Sequence, residues 1–433
     1  MRLTFLNTPV NRHLLLILTL LPIIIVAVYI FFMGVNLPLF DQWENVPLLM
    51  KQQQSQITFG DLFAQHNEHR PFFPRLIWLA LAGMSRYNIT YELWFNFLLA
   101  LGTFAFFMNR SLGLWSKLEV SIPAWLLPIF SLLVFNLGQR ESWLQGFQTV
   151  MFLGMACVIV GLFLLAEDKN WLTYMTAILL GIVASYSMVN GAYYWPIGFI
   201  VLALSALKTG KTLKIALWIL ASLLSTGFFL NGWQPATSPD FAYILAHIPE
   251  WIIWVLNFLG APLMTFWYVA WFFGIVSLVL FTVIIHHLYQ TGQWRPLIPY
   301  FAIILFVLLT TLTVSFGRIG FGLRQSTASR YLTISVWYWA CLLALLPLLN
   351  LRRLYQYTVF ALLTVSLSAL MVSGGWVGYV RSYQRLLPAY QAVTSGQMPS
   401  DEMLLLIYPS PDIVRDRLEF LCENRLSACE NRP

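Results

Sequence analysis

A chain of 433 residues that is 59% hydrophobic, 16% aromatic and 10% charged, with mean hydropathy +0.72, is too apolar for a soluble domain. It has the composition of an all-α polytopic membrane protein. The formal charge of +7 comes from six Lys and nineteen Arg scattered between apolar stretches, which excludes a nucleic-acid-binding stripe and leaves membrane topology plus anion binding.

The first apolar run, Leu14 to Phe32, matches the length of a bilayer-spanning helix, and no small-residue cleavage site follows it, so it is expected to remain a helix. It leads into Phe40-Asp41-Gln42-Trp43-Glu44. Ionisable groups at a bilayer boundary are costly unless water or partners receive them, which makes this cluster a candidate working surface. Asp41 suits a partly desolvated proton acceptor, and equally the N-cap of an interfacial helix through Val46 to Gln53; the two roles are compatible.

His66-Asn67-Glu68-His69-Arg70 packs an acid, two imidazoles and a guanidinium into five residues ahead of Pro71 and Pro74. Such a set orients a hydroxyl, binds phosphate, holds a metal, or simply closes a hydrogen-bonded loop. The histidine spacing matches none of the usual metal signatures, so no metal and no cofactor is expected. Next come Gln139 to Gln148, where Arg140, Glu141, Trp143 and Gln145 interleave charge, amide and ring. That mixture resembles a carbohydrate-binding rim, or an interfacial aromatic belt with an Arg140 to Glu141 surface pair. Ser187 to Pro196 places Asn190 and three aromatic residues at a helix break, read as a tight turn or the lining of a cavity.

Gly317 to Tyr331 holds three Arg and three Gly with Ser326, Thr327 and Ser329, and no carboxylate. Glycine lets backbone approach an anion and Arg grips phosphate in a bidentate way, so Arg318, Arg324, Ser329, Arg330 and Tyr331 form a candidate anion cradle. Anionic lipid head groups are the other ligand for such a loop. In the polar end of the chain, 401–406 and 413–421 are expected as short amphipathic helices. Cys422 and Cys429 there can pair if that end is extracytoplasmic, while Cys157 and Cys341 lie in apolar runs as packing residues.

Apolar length and Pro, Gly and charge punctuation predict about eleven spans, near 14–33, 91–109, 121–137, 147–166, 171–188, 192–207, 212–230, 264–285, 297–315, 331–350 and 354–375. Segments 71–86 and 249–262 are too short and are expected along the interface. With Arg2 and Arg12 cytoplasmic, five of six lysines, including Lys208 to Lys214, fall inside and only Lys51 outside. Every polar island described above then falls on the other face. The organisation expected is a transmembrane unit over 1–375, with a first outer loop at 34–90, and a small extracytoplasmic tail over 376–433.

An in-to-out first helix, an acidic residue at its exit, interfacial helices in the first outer loop, a short segment started by Pro71, then an out-to-in helix together resemble the C-type (GT-C) glycosyltransferases. The resemblance covers residues 1–110 in layout and 317–331 more loosely, and the usual acidic pair is split here into Asp41 and Glu44. It implies an inverting enzyme of a bacterial inner membrane, with Asp41 as catalytic base. The donor implied is a polyprenyl-phosphate sugar held by Arg318, Arg324 and Arg330, and the acceptor is a cell-envelope saccharide or lipid. Glu44, His66, Asn67, Glu68, His69 and Arg70 would then place the acceptor or tune the base. Two other functions fit the composition: a lipid or saccharide transporter, and a polymerase or ligase using a pyrophosphate-linked donor. The first calls for ionisable residues at mid-span, and the predicted spans carry almost none.

Overall fold

A computed structural model describes residues 9–167, 169–205, 211–234 and 241–430; Arg2 and Lys208, two of the cations used to orient the chain, lie outside them. The regular structure of the described residues is helical, with no strand beyond one isolated bridge between His66 and His69. Eight of these helices are long and apolar enough to cross a membrane: Arg12–Met33, Thr90–Lys117, Gly146–Glu167, Thr212–Leu230, Trp267–Thr291, Arg295–Phe321, Ser329–Leu349 and Arg353–Thr394. The chain therefore has the build of an integral membrane protein.

The remaining predicted spans, 121–137, 171–188 and 192–207, contain shorter helices, Leu126–Val134, Trp171–Ser185 and Tyr194–Leu204. The first ends at a turn held by Asn136. Asn136 accepts from the Gly138 amide at 2.8 Å and donates to the Leu367 carbonyl at 2.8 Å, offering the backbone a turn where a helix would need another residue. Segments 71–86 and 249–262 contain Phe72–Ser85 and Ile248–Gly260, of 14 and 13 residues. At ~1.5 Å per residue these are about 20 Å long, short of a ~30 Å hydrocarbon core.

The helix Leu332–Leu345 is buried along its whole length and forms the centre of the main core. Around it, Arg12–Met33, Thr212–Leu230 and Trp267–Thr291 turn rows of Leu, Ile, Val and Phe outward, as lipid-facing helices do. One close approach matters for the site: a Cβ at Gly374 would lie 2.2 Å from the Leu137 carbonyl oxygen. Only glycine there lets the helix Arg353–Tyr379 press onto the turn that precedes Arg140.

A second core joins the two ends of the chain. Leu37, Trp43, Val46, Leu49, Tyr87 and Ile89 pack with Leu386, Val393, Leu404, Ile407, Val414 and Leu418. Residues 376–430 are thus built into the fold beside residues 34–90. The last long helix passes through a π-helical stretch, Val380–Leu386, directly into Leu387–Thr394. Short helices Asp401–Leu405 and Pro411–Glu423 follow where amphipathic patterning placed them, and Cys422 and Cys429 form a disulfide. Cys157 and Cys341 are buried and free.

Candidate functional site

A cavity of about 1470 Å³ collects most of the polar islands. Asp41, Asn67, Glu68, His69, Arg140, Glu141, Gln145 and Asn190 line it, together with Arg318, Arg324, Ser329, Arg330 and Tyr331. Glu44, His66, Arg70 and Trp143 do not.

Asp41 sits in a short 3₁₀ helix, Phe40–Asn45, that is fixed from both sides. Phe40 adopts φ +47°, a left-handed conformation costing a non-glycine residue about 1 kcal/mol or more. Its amide donates to the Ile407 carbonyl at 2.8 Å, and Arg417 donates to the Trp43 carbonyl at 2.8 Å. From the other side the Gln42 amide donates to the buried Glu92 carboxyl at 2.9 Å, and Gln42 Oε1 accepts from the Leu39 amide at 3.3 Å. The strained residue is held by its surroundings, and Asp41 projects into the cavity from that support. Asp41 caps no helix: the N-cap of Val46–Gln53 is Asn45, without a side-chain bond. Its carboxylate lies 3.9 Å from His66 Nε2.

His66 and His69 close a tight turn through mutual amide-to-carbonyl bonds of 2.9 Å, with Asn67 at φ +48° at its tip. Burial holds the His66 imidazole below its ordinary pKa against the pull of Asp41, so it stays largely neutral near pH 7. Burial likewise lowers His69 to about 4, opposed by Glu68 and aided by His66 and Arg318. His69 Nδ1 accepts from the Val189 amide at 3.0 Å, which requires that nitrogen to be unprotonated. Glu68 pairs with Arg318 at 3.4 Å. Among the described residues no group of three or more His, Cys, Asp or Glu side chains converges as a metal would require.

Residues outside the cavity have other partners. Glu44 meets the Tyr408 hydroxyl and Arg417; burial raises its pKa, but these two outweigh burial and hold it below the usual range. Arg70 is buried and donates to three carbonyls, those of Phe229, Phe63 and Asn231, at 2.8, 3.0 and 2.6 Å. Trp143 is fully buried and donates to the Asn136 carbonyl at 3.0 Å.

The arginine loop is less naked than its sequence suggests. Its missing carboxylates arrive from elsewhere: Glu68 reaches Arg318, and Glu141 lies 3.5 Å from Arg330. Ser329 donates to the Gly138 carbonyl at 2.7 Å and accepts from the Glu141 amide at 3.1 Å, tying the loop to the 139–148 island. Burial raises the Glu141 carboxyl, but Arg330, Arg381 and Arg140 overcome it and keep its pKa below the ordinary value. Arg324 makes no ion pair among the described residues.

Sequence reasoning passed over Arg381 and Arg385 and took Gln148 only as the end of the 139–148 island; all three line the cavity. Arg381 donates to Glu141 at 2.6 Å. The signal was present in the sequence as two arginines, Arg381 and Arg385, just past the last long apolar run.

In total six guanidinium groups, those of Arg140, Arg318, Arg324, Arg330, Arg381 and Arg385, face three carboxylates, Asp41, Glu68 and Glu141, across one chamber. Such a surplus of positive charge with one separate carboxylate suits an anionic ligand delivered beside a proton acceptor. No protein family, curated protein or solved structure matches the chain.

Proposed function

We propose that the protein is an inverting membrane glycosyltransferase of the C-type, transferring a sugar from a polyprenyl-phosphate donor to a saccharide or lipid acceptor of the cell envelope. The observation that carries this reading is that Asp41 and the three arginines of Gly317 to Arg330 open on the same cavity although Arg318 lies 277 positions after Asp41. Asp41 takes the proton of an acceptor hydroxyl as that oxygen attacks the anomeric carbon. The bond from that carbon to the phosphate oxygen breaks, and its electron pair leaves on the phosphate. Guanidinium groups stabilise the charge growing there, so the leaving group needs no proton.

The topology that goes with this reading has eleven spans in a bacterial inner membrane, with the N-terminus cytoplasmic. Phe72–Ser85 and Ile248–Gly260 lie along the outer interface, and the cavity and the C-terminal residues are extracytoplasmic. The Cys422 to Cys429 disulfide supports this orientation, because disulfides persist in oxidising compartments.

With purified protein and a polyprenyl-phosphate sugar, Asp41→Asn is expected to lower turnover by about 10² to 10⁴ while binding of the donor is retained. Near-normal turnover by the variant would sink the general-base assignment.

A further inference from the structure

The guanidinium groups of the cavity fall into two neighbourhoods. Arg318 is balanced by Glu68, at the side formed by the His66 to His69 turn. At the other side Glu141 serves Arg381 at 2.6 Å and Arg330 at 3.5 Å while Arg140 adjoins it in sequence, and Asp41 adds its charge near Arg330. Arg140 Nε is buried with no hydrogen-bond partner, and Arg385 makes no ion pair among the described residues. Arg381 and Arg385 both rise from the π-helical stretch, a helical irregularity that recurs at functional sites.

The charge balance decides how many anions fit. Six guanidinium groups against three carboxylates leave a formal surplus of three. A sugar linked through one phosphate is a phosphodiester with a single negative charge, so one donor of that kind leaves two guanidinium charges uncompensated in a partly enclosed chamber. Arg140, Arg318 and Arg330 are partly buried and costly without counter-charge, while Arg324, Arg381 and Arg385 are exposed and open to an added anion. Topology does not explain these arginines either, since they stand on the cavity face, opposite the lysines.

We infer that the cavity holds a second anionic group beside the donor phosphate, gripped by Arg381 and Arg385 with Arg140 near Glu141. This rests on the reading that the cavity takes an anionic donor. The ligand is a phosphate-type oxyanion, for which the two-pronged guanidinium is well matched. It belongs either to the donor, as the second phosphate of a diphosphate-linked lipid, or to the acceptor, as a phosphate it carries.

The test reads binding and not turnover, so it can fail while transfer succeeds, and it survives a failure of the transfer reading. Full-length protein in detergent is titrated with a polyprenyl monophosphate, with the matching diphosphate, and with inorganic phosphate after saturation by the monophosphate lipid. Each titration is repeated with Arg385→Gln and Arg381→Gln. Arg385 is exposed and unpaired, so its replacement leaves the fold and the Glu141 pairs in place.

One charge-assisted bidentate contact corresponds to a change of about tenfold or more in affinity. If the diphosphate binds more tightly than the monophosphate by that factor, and Arg385→Gln removes the difference, the second anion is the donor's own. If both lipids bind alike, and inorganic phosphate still enters the lipid-saturated protein with an affinity that either substitution lowers by about that factor, the second anion is on the acceptor. Equal lipid affinities with no phosphate uptake overturn the inference, and so does binding that neither substitution changes.

Discussion

Arg381 donates to Glu141 at 2.6 Å, and the two residues stand 240 positions apart in the chain. Through this contact the last long helix is tied to the loop after Asn136, and Arg330 on the second carboxylate oxygen brings in the arginine loop as well. A single carboxylate therefore organises three segments around one side of the cavity.

Replacing that carboxylate by an amide, Glu141→Gln, leaves the guanidinium groups of Arg140, Arg330 and Arg381 to repel one another. Because Arg381 is half exposed, the expected loss of stability is moderate, about 2 kcal/mol. Inorganic phosphate should restore more stability to the variant than it adds to the unsubstituted chain, which a thermal melt with and without phosphate reads directly. An equal response of the two proteins to phosphate would contradict this charge account.

Acid should weaken the fold through His69. Its pKa is held at about 4 in the folded chain against 6.5 for an ordinary imidazole, so between those values the unfolded chain binds more protons. The stability linked to this group is complete above about pH 6.5 and is lost as pH falls toward 4. The melting midpoint should fall across that window in the unsubstituted protein and fall less in His69→Gln, which cannot take up the proton. Parallel pH profiles would show that another group carries the transition.

Arg70 tests the division between cavity and scaffold. Arg70→Ala strands three carbonyl oxygens that it now serves, and an expected cost of about 3 kcal/mol follows. Lysine cannot reproduce a planar three-way donor and should recover less than half of the loss. Affinity of the folded fraction for phosphate-bearing ligands should not change, since Arg70 is outside the cavity. A tenfold change in that affinity, or about 1.4 kcal/mol, would place it among the ligand contacts after all.

The legible and illegible parts of this protein divide along physical lines. Spans such as Arg12–Met33 and Trp267–Thr291 were readable because a bilayer demands long unbroken apolar runs. Helix breaks were less so: the stop at Asn136 depends on a side-chain bond to Leu367, far along the chain, and no local pattern encodes it. Within the His66 to Arg70 run, five adjacent residues separated into three that line the cavity, Asn67, Glu68 and His69, a His66 set behind it near Asp41, and an Arg70 bonded to backbone carbonyls. Composition cannot make that separation, because it is set by the turn geometry at Asn67. The polar C-terminal residues look like a soluble appendage until their apolar side chains are seen packed against Trp43 and Val46.

The disulfide gives a further check on that packing. Between Cys422 and Cys429 the Ser427 amide donates to the Arg86 carbonyl at 2.9 Å and its hydroxyl donates to the Asn36 carbonyl at 3.2 Å. Closing so short a loop is worth about 2 kcal/mol in the chain-entropy account. Cys422→Ser with Cys429→Ser should melt earlier, and proteolysis should release the C-terminal residues while the membrane core stays intact. Unchanged melting and unchanged cleavage would show that the surrounding core holds them without the bond.

The bond from Phe40 to Ile407 also sets an order of events during synthesis. Residue 41 emerges early, yet the support that holds its turn is supplied near the end of the chain. At ~5–20 residues per second the interval is on the order of 20 to 70 seconds, during which the first spans are already inserted. A nascent or truncated chain ending before residue 407 would hold its arginine loop and its helices but not a fixed Asp41. The turn that carries Asp41 is thereby left without this support until residue 407 has been made.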